Sequence, residues 1–255
     1  MDFFKKIKNK IRWAFIDRGY TCDGCGAELF DYPKHRFCET CEGILHRNDG
    51  RICGKCGRMT IAEGVCLSCK SRMPRFDNAY SPFVYRGDTA SFVNRIKTSS
   101  PILARYFGEQ MADCLIQRFD KIDNFVEGKE ELMIIPIPLT EERLRSRGYN
   151  QALLLAEMVC KRLREQGYNA KLYEEVLQKT RDTAQQKHMD YVSRMENVAG
   201  AYHVHQRKEC RGRTIVLVDD IMTTGATGSE CASRLQSADA AAVVLLVSAA
   251  LPEQK

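Results

Sequence analysis

The stretch Ile215–Thr227 constrains the fold of this chain more than any other. It begins with four apolar residues, which predict a buried strand, and two adjacent carboxylates, Asp219 and Asp220, follow at the carboxyl end of that strand. A short run of hydroxyl residues and one glycine then leads into a predicted helix. Free backbone N–H groups and the positive end of the helix dipole would face a phosphate there. This order predicts an α/β sheet with an anion pocket at its edge, where the two carboxylates could bind sugar hydroxyls or a metal.

The same segment is similar to the phosphoribosyl-pyrophosphate (PRPP) signature of the type I phosphoribosyltransferases. In that family the acidic pair holds the ribose hydroxyls, the loop binds the 5-phosphate, and magnesium accompanies PRPP. The resemblance therefore implies ribose contacts from Asp219 and Asp220. It assigns the phosphate to the loop residues Thr223, Thr224, Gly225, Ala226 and Thr227. The alternative is a buried strand that ends in a Walker-B-like acidic pair, but the chain contains no Gly-Lys-Ser/Thr loop of a P-loop enzyme.

Eight of the 12 cysteines form four Cys-x2-Cys pairs. The candidate metal ligands are Cys22, Cys25, Cys38, Cys41, Cys53, Cys56, Cys66 and Cys69. Two pairs complete a tetrahedral four-cysteine site, and the pattern Cys-x2-Cys-Gly, gap, Cys-x2-Cys occurs twice, so we predict two zinc ions in tandem ribbons. Crossed pairing, first pair with third and second with fourth, stays open. A redox dithiol or a disulfide framework is an alternative, but the latter needs an oxidising compartment. We find no signal peptide and expect a cytoplasmic protein.

The formal net charge of +6 comes entirely from residues 1–75, because residues 76–255 carry equal numbers of acidic and basic side chains. Each zinc ion bound by four thiolates would change the net charge by about −2, which leaves the chain with a net charge of about +2. A strongly basic protein is thereby excluded, whereas local basic patches for nucleic acid are not. We predict two domains: residues 1–75, an N-terminal segment with the double zinc ribbon, and residues 76–255, the PRPP-binding domain.

Residues 3–15 carry apolar side chains at helical spacing with basic residues between them. Such a helix could make peripheral contact with a membrane surface, meet nucleic acid, or dock on its own domain or a partner. Docking is favoured because the segment is short and Trp13 needs cover. No apolar run approaches the length of a membrane span, so we expect no transmembrane segment.

From residue 76 onward, predicted strands alternate with predicted helices. The predicted strands cover residues 81–85, 132–138, 172–177, 214–218 and 242–247, and the predicted helices cover residues 88–97, 102–119, 150–164 and 228–235. Residues 181–201 are polar and show no regular pattern. This alternation implies parallel strands with a ligand beyond their carboxyl ends.

The chain as a whole resembles the ComF-type competence proteins, in which a double zinc ribbon precedes a phosphoribosyltransferase-like domain. The matching pieces, in chain order, are the four cysteine pairs, Tyr85-Arg86-Gly87, Arg95-Ile96-Lys97, Ile135-Pro136-Ile137-Pro138-Leu139, Arg143-x-Arg145-x-Arg147-Gly148-Tyr149-Asn150-Gln151-Ala152, Arg181-x-Thr183-x2-Gln186, Arg194-x2-Asn197-x3-Ala201-Tyr202 and the signature. One departure follows Lys97, where the family commonly has an aromatic residue and a basic or glycine residue and this chain has Thr98-Ser99-Ser100.

The resemblance implies a type I phosphoribosyltransferase fold, a mostly parallel sheet with helices on both faces, preceded by a small double zinc ribbon. It places Arg143, Arg147 and Lys97 on the pyrophosphate side of PRPP. A solvated helix face explains Arg145 equally well. Residues 181–197 would form a flexible loop that closes over the ligand.

The function that the resemblance implies is that of a PRPP-binding accessory protein of natural transformation. Such a protein handles internalised single-stranded DNA in the cytoplasm, with the ribbons contacting DNA or a helicase partner. Phe30, Tyr32 and Phe37 could stack on bases or pack around the zinc. The alternative is an active phosphoribosyltransferase, a glycosyltransferase-class enzyme, with an unknown acceptor. No base pocket is recognisable in the sequence, so whether the chain is an enzyme stays open.

Overall fold

The computed structural model describes residues 21–29, 36–122, 131–181 and 197–253. The chain divides into two compact units, Met1–Ile44 and Leu45–Lys255. The first four-cysteine group lies in the first unit, and the second group lies in the second unit together with the sheet. The domain boundary between residues 75 and 76 stays a prediction. The helix predicted over residues 3–15 and most of the predicted closing loop lie outside the described residues.

The elements of the described chain alternate as predicted. The helices are α1 (Glu39–Gly43), α2 (Leu67–Ser71), α3 (Gly87–Thr98), α4 (Ala104–Ile116), α5 (Glu141–Arg147), α6 (Gln151–Glu165), α7 (Arg207–Cys210) and α8 (Ala226–Gln236). The strands are β1 (Asn78–Tyr80), β2 (Phe83–Val84), β3 (Leu132–Pro136), β4 (Ala170–Leu172), β5 (Leu177–Lys179), β6 (Tyr202–Val204), β7 (Thr214–Met222) and β8 (Ala242–Ala250).

The central sheet has the strand order β1-β8-β7-β3-β4, and β2 pairs with the end of β8. Every pair in this sheet is parallel, whereas β5 and β6 form a separate antiparallel pair. Strands β3 and β8 are buried along their whole length, as expected of a parallel sheet covered on both faces. The predicted fold class, a mostly parallel sheet with helices, is confirmed.

Helices cover both faces of this sheet. On one face α4 and α6 pack against each other, α4 also contacts β8, and α6 contacts β3 and β7. On the other face α8 contacts β6, β7 and β8. The second cysteine group, α8 and the β5–β6 pair share one buried hydrophobic cluster with that face of the sheet. The second ribbon is thus part of the core that supports the carboxyl end of β7.

The predicted strands differ from the observed ones in their limits, and the strands predicted over residues 132–138 and 242–247 cover Leu132–Pro136 and Ala242–Ala250. The prediction of one strand over residues 172–177 is wrong, because the chain leaves the sheet after Leu172 and starts an antiparallel pair at Leu177. The prediction over residues 81–85 is wrong in its limits, since β1 and β2 lie on either side of Ser81 and Pro82, and proline has no N–H for a ladder. Strand β7 runs beyond its predicted end because it continues to pair with the last residues of β8.

Candidate functional site

A pocket of about 800 Å³ opens at the carboxyl ends of β3 and β7. A volume of this order suits a small-molecule ligand. The residues that the sequence assigned to PRPP line it together: Lys97, Arg143, Arg147, Asp219, Asp220, Thr223, Thr224, Gly225, Ala226 and Thr227. Lysine and arginine residues outnumber carboxylates in the lining, so the pocket suits a polyanion.

The two acidic residues belong to β7 itself, and alternation along a strand directs their side chains to opposite faces of the sheet. Asp220 is buried, and its Oδ2 lies 2.5 Å from Nζ of Lys97, which reaches it from the last turn of α3. Asp219 is half-buried, and its Oδ1 accepts the backbone N–H of Asp220 at 2.9 Å. The neighbouring carboxylates therefore have different surroundings within one pocket.

Burial shifts the pKa values of two charged side chains in this pocket, Asp219 and Lys97, towards the neutral form. Burial raises the pKa of Asp219 to about 6, although the charges of Lys97, Lys179 and Arg147 oppose the change. Burial likewise lowers the pKa of Lys97 to about 8, with Asp219 opposing the change and Arg147 adding to it. Such shifts are typical of functional sites, where charged groups face a cleft.

The loop after β7 presents the amino end of α8 to the pocket. Gly225 is the N-cap of α8 with φ of 82°, a left-handed conformation that favours glycine. Thr224 Oγ1 accepts the N–H of Ala226 at 3.3 Å, and the N–H of Ser229 donates to the Gly225 carbonyl. In an α-helix the remaining first-turn N–H groups have no acceptor within the helix. The loop thus offers an anion the donors that the signature predicts.

The corner between α5 and α6 supplies the arginines. Thr140 caps α5 by accepting the N–H of Arg143, and Arg147 donates to the side chain of Gln151 at the start of α6. Arg143 and Arg147 line the pocket, whereas Arg145 is exposed and pairs with Glu141 at 3.6 Å on the outer side of the helix. Arg145 is therefore a solvated helix-face residue.

The residues that follow Arg147 fix the position of this corner. Gly148 ends α5 with φ of 81°, and Tyr149 Oη donates to the Ile96 carbonyl of α3 at 2.6 Å. Asn150 caps α6 with its Oδ1 and donates from Nδ2 to the Ile137 carbonyl, just beyond β3. These bonds attach the arginine corner to both α3 and the sheet.

Several residues that line the pocket were not predicted as site residues, among them Lys179, Tyr202, Tyr85 and Asn94. Lys179 lies at the end of β5 with its Nζ 5.5 Å from the ring centroid of Tyr202 on β6. Tyr85 and Asn94 line the pocket from the side of α3, and Asn94 Nδ2 donates to Tyr85 Oη at 2.9 Å. The Tyr85-Arg86-Gly87 and Ala201-Tyr202 pieces of the family resemblance included two of these, but nothing local marked Lys179 or Asn94.

The eight paired cysteines form two groups of four in chain order, which decides against crossed pairing. Within each group the Sγ atoms lie within 4.8 Å of one another, and the cysteines are free of disulfides. The Sγ atoms of Cys25 and Cys38 are 3.8 Å apart, and those of Cys56 and Cys66 are 3.7 Å apart. A tetrahedral zinc site with Zn–S bonds of about 2.3 Å requires sulfurs roughly 3.8 Å apart, so each group fits one ion.

Backbone donors already point at these sulfurs. In the first group the N–H of Cys38 lies 3.2 Å from Cys22 Sγ, and in the second the N–H of Cys66 lies 3.3 Å from Cys53 Sγ. Burial alone would raise the pKa of Cys22, but backbone N–H groups lower it to about 7. The hydrogen bond with Cys53 raises the pKa of Cys56 to about 11. Four thiolates this close together repel one another, so the group can carry its negative charge only with a cation among the sulfurs.

The aromatic residue of the first ribbon that the structure describes is not available for base stacking. Phe37 is 4% exposed, and its ring lies 2.9 Å from the point where a Cβ on Gly24 would sit. The stacking prediction is therefore wrong for Phe37, which packs against the cysteine loop. Phe30 and Tyr32 lie outside the described residues.

Within residues 21–29, 36–122, 131–181 and 197–253, no helix has both the length and the apolar character needed to cross a bilayer.

Comparison with curated proteins gives relatives along most of the chain. Competence protein ComFC of Bacillus subtilis (strain 168) is 26% identical over 201 residues, 76% of this chain and 75% of that protein. Competence protein F of Haemophilus influenzae is 24% identical over 223 residues, 87% and 86% of the two chains. DNA utilization protein YhgH of Escherichia coli (strain K12) is 27% identical over 223 residues, 81% and 86%.

Two solved structures with low sequence identity are similar to this chain. Hypoxanthine-guanine phosphoribosyltransferase from Schistosoma mansoni in complex with IMP is 11% identical with a TM-score of 0.30, over 60% of this chain and 67% of that one. The protein TT1426 from Thermus thermophilus is 16% identical with a TM-score of 0.32, over 60% and 85%. No family model matches the chain.

The curated relatives carry competence and DNA-utilization names, and they match the chain across most of its length. The described structure adds the mostly parallel sheet and the two four-cysteine groups that the resemblance implied. The chain is therefore similar to the ComF-type competence proteins across most of its length.

Proposed function

We propose that this protein is a PRPP-binding accessory protein of natural transformation that handles internalised single-stranded DNA in the cytoplasm. The observation that carries the PRPP part is the composition of one pocket. An acidic pair on a strand, a glycine-capped helix N-terminus and the basic side chains Lys97, Arg143, Arg147 and Lys179 meet there. PRPP needs these three kinds of group for its ribose, its 5-phosphate and its pyrophosphate.

In this proposal each end of the pocket has a separate task. The N-terminus of α8, with Thr223 to Thr227, holds the 5-phosphate through backbone N–H and hydroxyl donors. Arg143 and Arg147 bind the pyrophosphate through charge-assisted hydrogen bonds. Asp219 accepts the ribose hydroxyls, while Asp220 works through its contact with Lys97. Carboxylate and pyrophosphate oxygens are also the ligands that magnesium prefers, so magnesium would enter with PRPP.

The second candidate is an active phosphoribosyltransferase with an unknown acceptor. The observation that favours it is the polar pair Tyr85 and Asn94, which lines the same pocket and lies outside the residues assigned to PRPP. These groups could orient an acceptor by hydrogen bonds. Release of pyrophosphate separates the two candidates. We would incubate the protein with PRPP, magnesium and a panel of bases and single-stranded DNA, with Asp219→Asn as the control.

Each outcome of that assay assigns one of the two functions. Pyrophosphate release that depends on an added acceptor and disappears in Asp219→Asn would assign a transferase. PRPP binding without release against any acceptor would assign an accessory role. We expect the second result, because no base pocket is recognisable in the sequence.

The proposal for single-stranded DNA rests on the surface of the second ribbon. Lys70 and Arg72 are exposed there, and Leu67 and Met73 are 70% and 56% exposed beside them in the sequence. Basic groups neutralise backbone phosphates, and apolar groups can contact unstacked bases. The metal ion that the Cys53, Cys56, Cys66 and Cys69 group favours, which we propose to be zinc, would hold this surface in shape. A helicase partner is the competing occupant.

Labelled-oligonucleotide anisotropy tests this surface. Lys70→Glu with Arg72→Glu should weaken binding to single-stranded DNA, and affinity should fall by roughly 0.7 log units per log of salt for each phosphate neutralised. Lys208→Glu with Arg211→Glu is the matched control, since both residues are exposed but lie beyond the ribbons. Equal loss in the two variants, or no binding by wild type at low salt, would reassign the ribbon surface to protein contacts.

A further inference from the structure

A buried arginine connects the second cysteine group to the phosphate loop. Arg58 is 6% exposed, its Nε donates to Cys56 Sγ at 3.2 Å, and its Nη2 donates to the Thr223 carbonyl at 3.0 Å. Cys56 is one of the four cysteines that fit a metal ion, and Thr223 opens the loop that faces the pocket. One guanidinium thus spans two sites that are 165 residues apart in the sequence.

The surroundings of Arg58 leave the cysteine loop little freedom to move. Gly57 has φ of 64°, and a Cβ there would lie 2.1 Å from the Ala79 carbonyl oxygen, so the loop is pressed against β1. The N–H of Ala79 donates to the Lys55 carbonyl at 3.0 Å. The loop between Cys53 and Arg58 is therefore docked on the first strand of the sheet.

The segment that leads from the second ribbon into β1 also contacts the phosphate loop and α8. The ring of Phe76 lies 3.5 Å from the point where a Cβ on Gly225 would sit, and the N–H of Arg75 donates to Ser229 Oγ at 3.0 Å. Gln236, at the other end of α8, donates to the Arg75 carbonyl. The helix whose N-terminus faces the anion is thus held by the ribbon side of the molecule.

We propose that Arg58 is a positioning residue that couples metal occupancy of the Cys53–Cys69 group to anion binding at the phosphate loop. Cys53, Cys56, Cys66 and Cys69 would hold the metal ion, and a metal-bound Cys56 sulfur would orient the Arg58 guanidinium, which holds the Thr223 carbonyl at the start of the loop. The inference rests on the proposed PRPP function of that loop. Groups that hydrogen-bond metal ligands commonly tune a site in this way, although here the consequence lies at a second ligand.

The proposal makes a reciprocal prediction. If the metal strengthens PRPP binding by some factor, PRPP must strengthen metal binding by the same factor, because coupling between two sites is symmetric. We expect a factor of about 5 or more, the lower end of typical coupling. A merely structural Arg58 would change stability without linking the two equilibria.

The test compares wild type, Arg58→Met, Arg58→Lys and the control Arg51→Met. Arg51 is an exposed arginine of the same ribbon, so its variant loses the same charge without the contact to Thr223. Metal content is measured first. Metal affinity is then measured by competition with a chromogenic chelator, with and without magnesium PRPP, and with inorganic pyrophosphate as a second anion.

We expect wild type and Arg51→Met to hold the metal about 5-fold or more tightly with PRPP present. Arg58→Met should retain two metal ions but show no effect of PRPP on metal affinity, and Arg58→Lys should recover part of the effect. If Arg58→Met fails to fold, the wild-type measurement and Arg58→Lys still decide. If wild type binds PRPP but its metal affinity does not change, the inference is overturned and the proposed function is not. Wild type that binds neither PRPP nor pyrophosphate would overturn both the inference and the proposed function.

Discussion

The Nζ of Lys97 lies 2.5 Å from Oδ2 of Asp220, so the second carboxylate of the acidic pair is paired with a cation inside the protein. The carboxylate of Asp219 accepts the N–H of Asp220, and the described part of the chain records no other hydrogen bond to it. Asp219 also lines the pocket. The two residues therefore divide the work. In our proposal, Asp220 sets the position of Lys97, and Asp219 contacts the ligand.

Asp219→Asn should stabilise the ligand-free protein at pH 8. Because burial raises the pKa of Asp219 in the folded state from its ordinary 3.8 to about 6, the folded state binds the proton more tightly than the unfolded state. Stability from this group is thus present at low pH and lost as the pH rises through 6. We expect a gain of a few degrees in Tm at pH 8, where roughly 2–4 °C corresponds to about 1 kcal/mol, and none near pH 4.

Thermal unfolding at the two pH values checks this expectation. Asp120→Asn, at an exposed position, is the control and should change Tm little at either pH. A loss of Tm in Asp219→Asn at pH 8 would show that its carboxylate is paired well enough to stabilise the fold.

The affinity for PRPP should fall as the pH rises above about 8, because Lys97 then loses its positive charge. Burial lowers the pKa of Lys97 to about 8, so the ammonium is mostly neutral by about pH 9. Lys97→Arg keeps its charge throughout this range. Calorimetric titrations should show a several-fold loss of PRPP affinity between pH 7 and pH 9 for wild type and a much smaller loss for Lys97→Arg. The control Lys161→Arg should follow wild type. Identical profiles in all three proteins would place the titrating group elsewhere.

Freshly purified, reduced protein should contain two metal ions per chain. Cys25→Ser should reduce this to about one, and because Cys25 is exposed, the change should leave packing intact. Cys56→Ser should also remove one ion but lower the stability of the whole sheet unit, since the second group is part of its hydrophobic cluster. Cys114→Ser lies outside both groups and should retain two ions. Elemental analysis with thermal unfolding measures both effects; an unaltered sheet in Cys56→Ser would contradict the shared core.

The signature and the cysteine pairs could be predicted because their chemistry is local. The strand, the acidic residues, the hydroxyls and Gly225 lie within 13 consecutive positions, and their geometry follows from backbone rules alone. The first and third Cys-x2-Cys pairs are likewise followed directly by a glycine, Gly26 and Gly57. For these parts, spacing determines which atoms come together.

Other parts of the site depend on contacts between distant segments. The sequence could not place Lys179 in the pocket, because β5 leaves the sheet and pairs with β6 instead. Nor could it show that Asp220 is buried against Lys97, since that contact needs the angle of α3 to the sheet. The docking of the second ribbon into the core is equally tertiary. It depends on how closely Gly57 approaches Ala79.

Gly228→Ala should destabilise the sheet unit, because a Cβ on this first-turn residue of α8 would lie 2.5 Å from Cδ2 of Leu245 on β8. Overpacking of this kind costs about 1–3 kcal/mol. Gly54→Ala is the control, as nothing lies within 4 Å of its added Cβ. Urea unfolding measures the difference. Equal stability of the two variants would mean that α8 is free to shift away from β8.

The central claim is that the pocket binds PRPP through its arginine corner, and calorimetric titration with magnesium PRPP tests it most directly. Arg147→Met is compared with Arg145→Met, which changes the same helix outside the pocket. We predict that wild type and Arg145→Met bind alike and that Arg147→Met loses roughly 10–150-fold in affinity, the value of one charged hydrogen bond of about 1.5–3 kcal/mol. Equal affinities in the two variants, or no heat of binding for wild type, would contradict the account.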